Sequence, residues 1–316
     1  MFHWTENKWN YLAVCIGEII ASFACFFLLQ FTVRWYLFGK CTFKTFSYFA
    51  WRPTISTVSQ AENEDFRSSQ SLLFVPPNKK WRISNEVVSL IHSVISGLWA
   101  LYSCIMFQDL INDLVHFKSQ FCGHLILLST GYLIHDLIDL VVNERSLRIV
   151  ELIFHHIVVL IGFATTFITG FFMGVVVLGL LMEINSIFLH SRSLLNLYGV
   201  DKKSTAFRII ALLNITTYMP FRMVLSVYLI YWQLITAWSL YWVHAVITFF
   251  VILSLAVTNT VLCYRVLAAD GLLGKKRSRR RIPLPPREEE EEGDPDNVVV
   301  SPGDQTTHSS NESDRG

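Results

Sequence analysis

His, Asp, Glu and Tyr side chains recur at helical spacing in three apolar stretches of this 316-residue sequence. In the first, Tyr132, His135, Asp136 and Asp139 fall within about a 100° arc of one helix face. The second places Glu151 and His155 one turn apart, on a face that continues through Gly162, Thr165, Thr166 and Thr169. There His156 is rotated by about 100° from His155, so the two imidazoles cannot aim at one spot. The third brings Glu183, Ser186 and His190 onto one face, with Gly179 expected to allow close approach of a neighbour, while Asn185 points nearly the opposite way. Such groups inside a membrane are costly, and they mark functional sites by default.

A neutral imidazole beside a carboxylate is a general base, able to take a proton from an alcohol or amine. It could equally be acylated as a nucleophile. Either role suits acyl transfer to a lipid. His155, His156, His135, Asp136 and Glu183 are therefore the candidate catalytic residues. Arg222, Asp139, Tyr132, His92 and Asn185 are the candidate substrate-binding residues. Arg222 follows Pro220 near the middle of its span and needs an anion, either an internal carboxylate or a lipid headgroup. No HxxxH, HxxHH or HExxH spacing is present, so a zinc site from His135, Asp136 and His155 has no motif behind it and no metal is expected. A Gly-rich phosphate loop and a GxSxG elbow are also absent.

Bland readings compete with these. Ser89, Ser93, Ser96, Ala100 and Ser103 form a small-residue stripe suited to helix packing. His190 and Arg192 read as interfacial, and Asp139 and Glu151 could pair with Arg145 or Arg148.

The elements that must position these groups are membrane helices. The chain is 52% hydrophobic and only 16% charged, against about 25% charge in soluble domains. The mean hydropathy of +0.42 excludes a disordered regulator and counts against a soluble enzyme. The net charge of +1 points to no nucleic-acid partner. Seven stretches, 11–33, 86–107, 122–142, 149–169, 171–190, 206–232 and 241–267, approach the length of about 20 apolar residues that a span needs. The first lacks the basic flank and small-residue cleavage site of a signal peptide. Gly170 alone separates the fourth and fifth, which predicts a tight hairpin. The fold class is all-α and polytopic, with 1–33 as an N-terminal span, 34–80 as a cytosolic connection, 81–270 as one domain and 271–316 as a disordered tail.

Eight basic residues lie between Arg34 and Arg82, and more in alternate connections and at the start of the tail. The positive-inside rule then puts the N-terminus outside and the C-terminus in the cytosol. It also places the ionisable residues in the cytosolic half, as a polar cavity open to the cytosol. The block Lys275–Arg281 is a stop signal, a site for anionic inner-leaflet lipid or a sorting signal. The six cysteines, Cys41 and Cys263 near helix ends among them, are scattered singly and define no disulfide framework.

Several of these segments resemble the TLC domain, the membrane domain shared by ceramide synthases and the translocation-associated membrane protein. They are Trp81-Arg82-Ile83-Ser84-Asn85, the stretch from Val88 to Ser93, Ser96-Gly97-Leu98-Trp99-Ala100-Leu101, Gly131-Tyr132-Leu133-Ile134-His135-Asp136 with Asp139, Glu151-Leu152-Ile153-Phe154-His155-His156, Glu183-Ile184-Asn185-Ser186-Ile187-Phe188-Leu189 and Phe221-Arg222. The resemblance is strongest to the branch of TLC domain-containing proteins one and two. It implies six helices in a ring around a lipid-sized cavity, with the first span peripheral. For that branch it implies a plasma-membrane regulator of phospholipid acyl composition that limits incorporation of long-chain polyunsaturated chains. The endoplasmic reticulum is the alternative location. Phospholipids and fatty acyl chains are the implied partners, and acyl-CoA a possible co-substrate. The paired histidines of ceramide synthases correspond to His155-His156. Their next helix carries a His-Asp-x-x-Asp-x-x-Leu-Glu stretch, where this chain has Met182, Glu183, Ser186, Leu189 and His190. This departure counts against ceramide synthesis, which stays as a second alternative, and leaves open a different acyl transfer or, as the first alternative, a non-enzymatic lipid-binding or partner-binding membrane scaffold.

Overall fold

A computed structural model describes residues 8–38, 77–143, 148–236 and 239–270. The connection 39–76, Cys41, Arg145, the block Lys275–Arg281 and the rest of the tail lie outside them. The described chain is helical: α1 (Lys8–Phe38), α2 (Pro77–Met106), the short α3 (Gln108–Asn112), α4 (Gln120–Asn143), α5 (Arg148–Thr169), α6 (Met173–Leu180), α7 (Glu183–Leu197), α8 (Thr205–Tyr218), a π-helical turn (Met219–Val224), α9 (Leu225–Thr236) and α10 (Trp242–Ala269). Seven spans are long and apolar enough to cross a membrane, with α6–α7 and α8–α9 each counting as one. In lipid only a helix or closed barrel satisfies every backbone group, so uninterrupted apolar runs fold as helices here.

The departures from the hydropathy boundaries have local causes. The second span starts nine residues earlier than predicted, at Pro77, a residue suited to the first helical turn. The fifth span is broken at Leu181 and Met182, where Leu181, Met182 and Ile184 donate to carbonyls only three residues back and tighten the turn. The sixth widens into a π turn around Pro220, whose missing N–H cannot continue the helical ladder. The predicted hairpin between the fourth and fifth spans turns on Gly170 (φ 69°) and Phe172 (φ 68°). Phe172 is buried, and its N–H donates to the Val115 carbonyl at 2.8 Å, which holds the left-handed backbone in place.

Six spans close into a ring, α4 against α2, α2 against α7, α7 against α8, α9 against α10, α10 against α5, and α5 back against α4. The first span packs outside that ring on α4 and α2. Two glycines make the seams tight. A Cβ on Gly131 would sit 2.5 Å from Ser22 Cβ of α1, and one on Gly97 would sit 3.0 Å from the Ile184 nitrogen of α7. The serine stripe of α2 is buried as its spacing suggests, and Ser96 and Ser103 donate to carbonyls of their own helix. Ser89 and Ser93 do more, because they meet side chains of other spans.

Candidate functional site

The ring encloses a cavity of about 410 Å³ lined by residues of all six spans, with none from α1 among the described residues. At one end it is polar. Asp136 and Tyr132 reach it from α4, His155 and His156 from α5, Glu183, Ser186 and His190 from α7, Arg222 from the π turn and Asn259 from α10.

His156 and Asp136 form its best-defined pair, with Nε2 to Oδ2 at 2.8 Å, while His156 Nδ1 lies 2.7 Å from the Leu152 carbonyl. A carbonyl and an ionised carboxylate are both acceptors. The pair therefore carries one proton more than a neutral imidazole beside a carboxylate, either as imidazolium–carboxylate or with the carboxyl protonated. Both ring nitrogens of His156 are committed, so it is not a free base. His155 differs. It lines the cavity with its ring edge-on to His156 at 5.7 Å and has no hydrogen-bond partner among the described residues. Asp136 Oδ1, buried beside it, has no donor either.

Arg222 is held entirely by neutral groups. Its Nε donates to Asn185 Oδ1 at 2.9 Å, Nη1 to Asn259 Oδ1 at 2.9 Å and Nη2 to Ser186 Oγ at 2.8 Å. Asn185 is fixed in turn by donating to the Asn214 carbonyl and Thr217 Oγ1. No carboxylate of the described residues lies within ion-pair distance of this guanidinium. The π turn matters here, since it places Arg222 on the inner side of the span at a wide, locally rearranged helix turn. Glu183, one turn before Ser186, accepts from Ser93 Oγ at 2.6 Å. His92 stacks on Tyr132 with centroids 3.8 Å apart and approaches Ser129 Oγ at 3.3 Å, and Tyr132 donates to Ser89.

The mouth of the cavity holds pairs that the sequence pattern does not single out. Glu86 accepts from Ser193 at 2.6 Å and lies 2.7 Å from His190 Nδ1. Glu151 pairs with Arg265 of α10 at 2.6 Å, while Arg145 and the side chain of Arg148 lie outside what is described. Arg192, read as interfacial, pairs with Asp270.

Over most of its length this constellation lies within one family pattern. The TLC domain profile matches residues 82–268, more than half of the chain and all of the ring from α2 to α10. The chain belongs to the TLC-domain family. It is 31% identical over 214 residues to TLC domain-containing protein 2 of Danio rerio, covering 68% of this chain and 85% of that protein. To TLC domain-containing protein 1 of Gallus gallus it is 36% identical over 154 residues, covering 48% of this chain and 60% of that protein. Human TLC domain-containing protein 2 is 32% identical over 145 residues, with 46% and 54% covered.

Not every candidate reaches the TLC cavity. His135 is fully buried and turned toward α1, edge-on to Phe23 at 5.8 Å and Phe27 at 6.4 Å. Asp139 is also turned outward, accepting from Gln30 at 3.0 Å, Trp81 at 2.6 Å and Asn143 at 3.1 Å, with Arg34 at 3.4 Å. The 100° arc of α4 is wide enough to straddle two interfaces, so its four polar residues divide between them. Asn185 is a positioning residue behind Arg222 rather than part of the cavity wall. Gly179 faces the cavity with nothing within 4 Å of an added Cβ, so the close approach expected there occurs at Gly97 instead. Among the described residues no group of three His, Cys, Asp or Glu is placed to hold a metal ion.

Proposed function

We propose that this protein governs the acyl composition of plasma-membrane phospholipids, limiting entry of long-chain polyunsaturated chains by acyl transfer within the ring. One observation carries the reading. Among the described residues, a histidine without a protein hydrogen bond, His155, shares a buried cavity with a guanidinium, Arg222, that has no carboxylate partner. The first group is suited to moving a proton, the second to holding an anion. In this reading the polar mouth opens to the cytosol, with the N-terminus outside, so that a cytosolic acyl-CoA has access.

His155 takes the proton of a lysophospholipid hydroxyl as that oxygen attacks the thioester carbonyl. The C–S bond then breaks, a C–O ester forms, and the CoA thiolate leaves with the proton returned by the imidazolium. Arg222 holds the lipid phosphate, and Asp136 fixes His156 as a wall of the site. Phospholipids and fatty acyl chains are thus the partners, with anionic inner-leaflet lipid at Lys275–Arg281.

Cells lacking the protein, fed polyunsaturated fatty acid and re-expressing His155→Ala, provide the test. Loss of the wild-type effect on phospholipid acyl profiles, with normal expression and location, is the expected result. A profile indistinguishable from wild type overturns catalysis by His155.

A further inference from the structure

The cavity changes character along its length. Past Asp136, His155 and Arg222 its walls become apolar, with Val159 and Gly162 of α5, Val175 and Gly179 of α6, Leu229 of α9 and Ile252 of α10. From His155 to Gly162 the helix advances about 10 Å. A much narrower cavity of about 30 Å³ begins at that level, sharing Gly162, Val175, Val176 and Ile252 with the first and continuing toward Phe172. We take this shared wall as the neck between them: Gly162 lines both cavities, whereas Gly179 lines only the larger one.

Neither glycine is required by helix packing. A Cβ on Gly179 would meet nothing within 4 Å, although glycine is unfavourable inside a helix. A Cβ on Gly162 would rest 3.4 Å from Val251 Cγ1, an ordinary contact. Gly97 and Gly131, by contrast, sit against a neighbouring helix too closely for any side chain. The volume left open at Gly162 and Gly179 therefore belongs to the cavity. At the polar head of this apolar space stand His155, Glu183 and Arg222, so an occupant with a polar end and an apolar tail matches both.

We propose that Gly162 and Gly179 are the specificity-determining residues of an acyl-chain slot, Gly179 setting its width and Gly162 its length at the neck. The proposal rests on the reading of the cavity as an acyl site, though not on any catalytic step in it. Bilayer chains are as apolar as the slot, so transfer between them supplies little driving force. Discrimination among chains is then steric, and a chain driven against an added side chain meets the cost of overpacking.

The test uses the full chain in nanodiscs and a palmitic acid probe carrying a photoreactive diazirine, with unlabelled acids from octanoic to stearic as competitors. In the wild type, competition strengthens with chain length. Gly162→Leu weakens competition by palmitic and stearic acids about ten-fold and leaves octanoic acid unchanged, whereas Gly179→Leu weakens every chain. Gly162→Ala, whose Cβ fits against Val251, gives the same shift in smaller degree and covers the case of a leucine variant that does not fold. Gly179→Ala raises the thermal midpoint while weakening every chain in smaller degree, which separates loss of space from loss of fold. Folded variants with the wild-type length profile overturn the proposal. Because the competition reads binding and not turnover, a failure of catalysis and a failure of the slot are read separately.

Discussion

Helix α4 presents two polar environments from one face, and their difference separates structure from chemistry. Toward α1, Asp139 is saturated by Gln30, Trp81, Asn143 and Arg34, and His135 is packed between phenylalanines. Toward the ring interior, Asp136 keeps one oxygen without a donor, and the neighbouring His155 has no hydrogen bond among the described residues. The outward pair is a fastening for the first span. The inward pair is left incomplete. Membrane-buried polar groups cost most when unpartnered, and this incompleteness inside a cavity is the ground for the ligand proposed there.

Asp139→Ala breaks the comparison on the side of the fastening. Removing the carboxylate takes away the acceptor of Gln30 and Trp81 and the anion facing Arg34 at once, and loss of one member of a buried ionic network costs about 3–5 kcal/mol. Thermal unfolding of the protein in detergent is expected to show a lowered midpoint and easier proteolysis of α1. An unchanged midpoint would mean that α1 is held by apolar packing alone. Gly131→Ala tests the same seam sterically. Its Cβ would lie 2.5 Å from Ser22 Cβ and 2.7 Å from the Ile19 carbonyl, and such overpacking costs about 1–3 kcal/mol.

Asn185→Ala sharpens the other side. It removes one neutral acceptor from Arg222 and costs about 1.5–3 kcal/mol as a lost hydrogen bond to a charged group. The expected signature is weaker binding of a phosphate-bearing lipid with little change in thermal midpoint, and Asn185→Asp should restore binding only partly, since a carboxylate there neutralises the guanidinium. A parallel fall in midpoint and binding would reassign Asn185 to the fold alone.

Much of this was legible in the residues. Seven apolar runs of span length and the helical phase of Glu183, Ser186 and His190 follow from composition and spacing. The partition of the α4 arc does not, because a helical wheel gives angles within one helix and no information on which neighbour occupies each angle. Gln30 and Arg34, four residues apart near the end of α1, are the signal for the Asp139 contact. Glu86–His190 and Glu151–Arg265 join residues far apart in sequence, and only ring closure brings them together. The role of His156 was hidden for a different reason. Its phase was readable, but its saturation depends on the Leu152 carbonyl and on where Asp136 points.

A third carboxylate, in water rather than in the membrane, calibrates the other two. Asp113, half exposed in the connection between α3 and α4, accepts backbone N–H bonds from Val115 at 3.1 Å and His116 at 2.9 Å. The His116 N–H, acting against a smaller opposing effect of burial, holds its carboxyl below the usual aspartate range. A carboxyl depressed in the folded state stabilises fully above its unfolded value of about 3.9 and loses that contribution as pH falls through the lower folded value. Asp113→Asn should therefore lower the thermal midpoint slightly at neutral pH, and the gap from wild type should close as the medium is acidified through that window. This is the smallest effect expected, because water competes for the same N–H groups. Asp139 makes comparable contacts with no water to compete, so the same change of charge there should give a far larger loss. Equal losses at Asp113 and Asp139 would remove burial as the cause of the difference between fastening and loop.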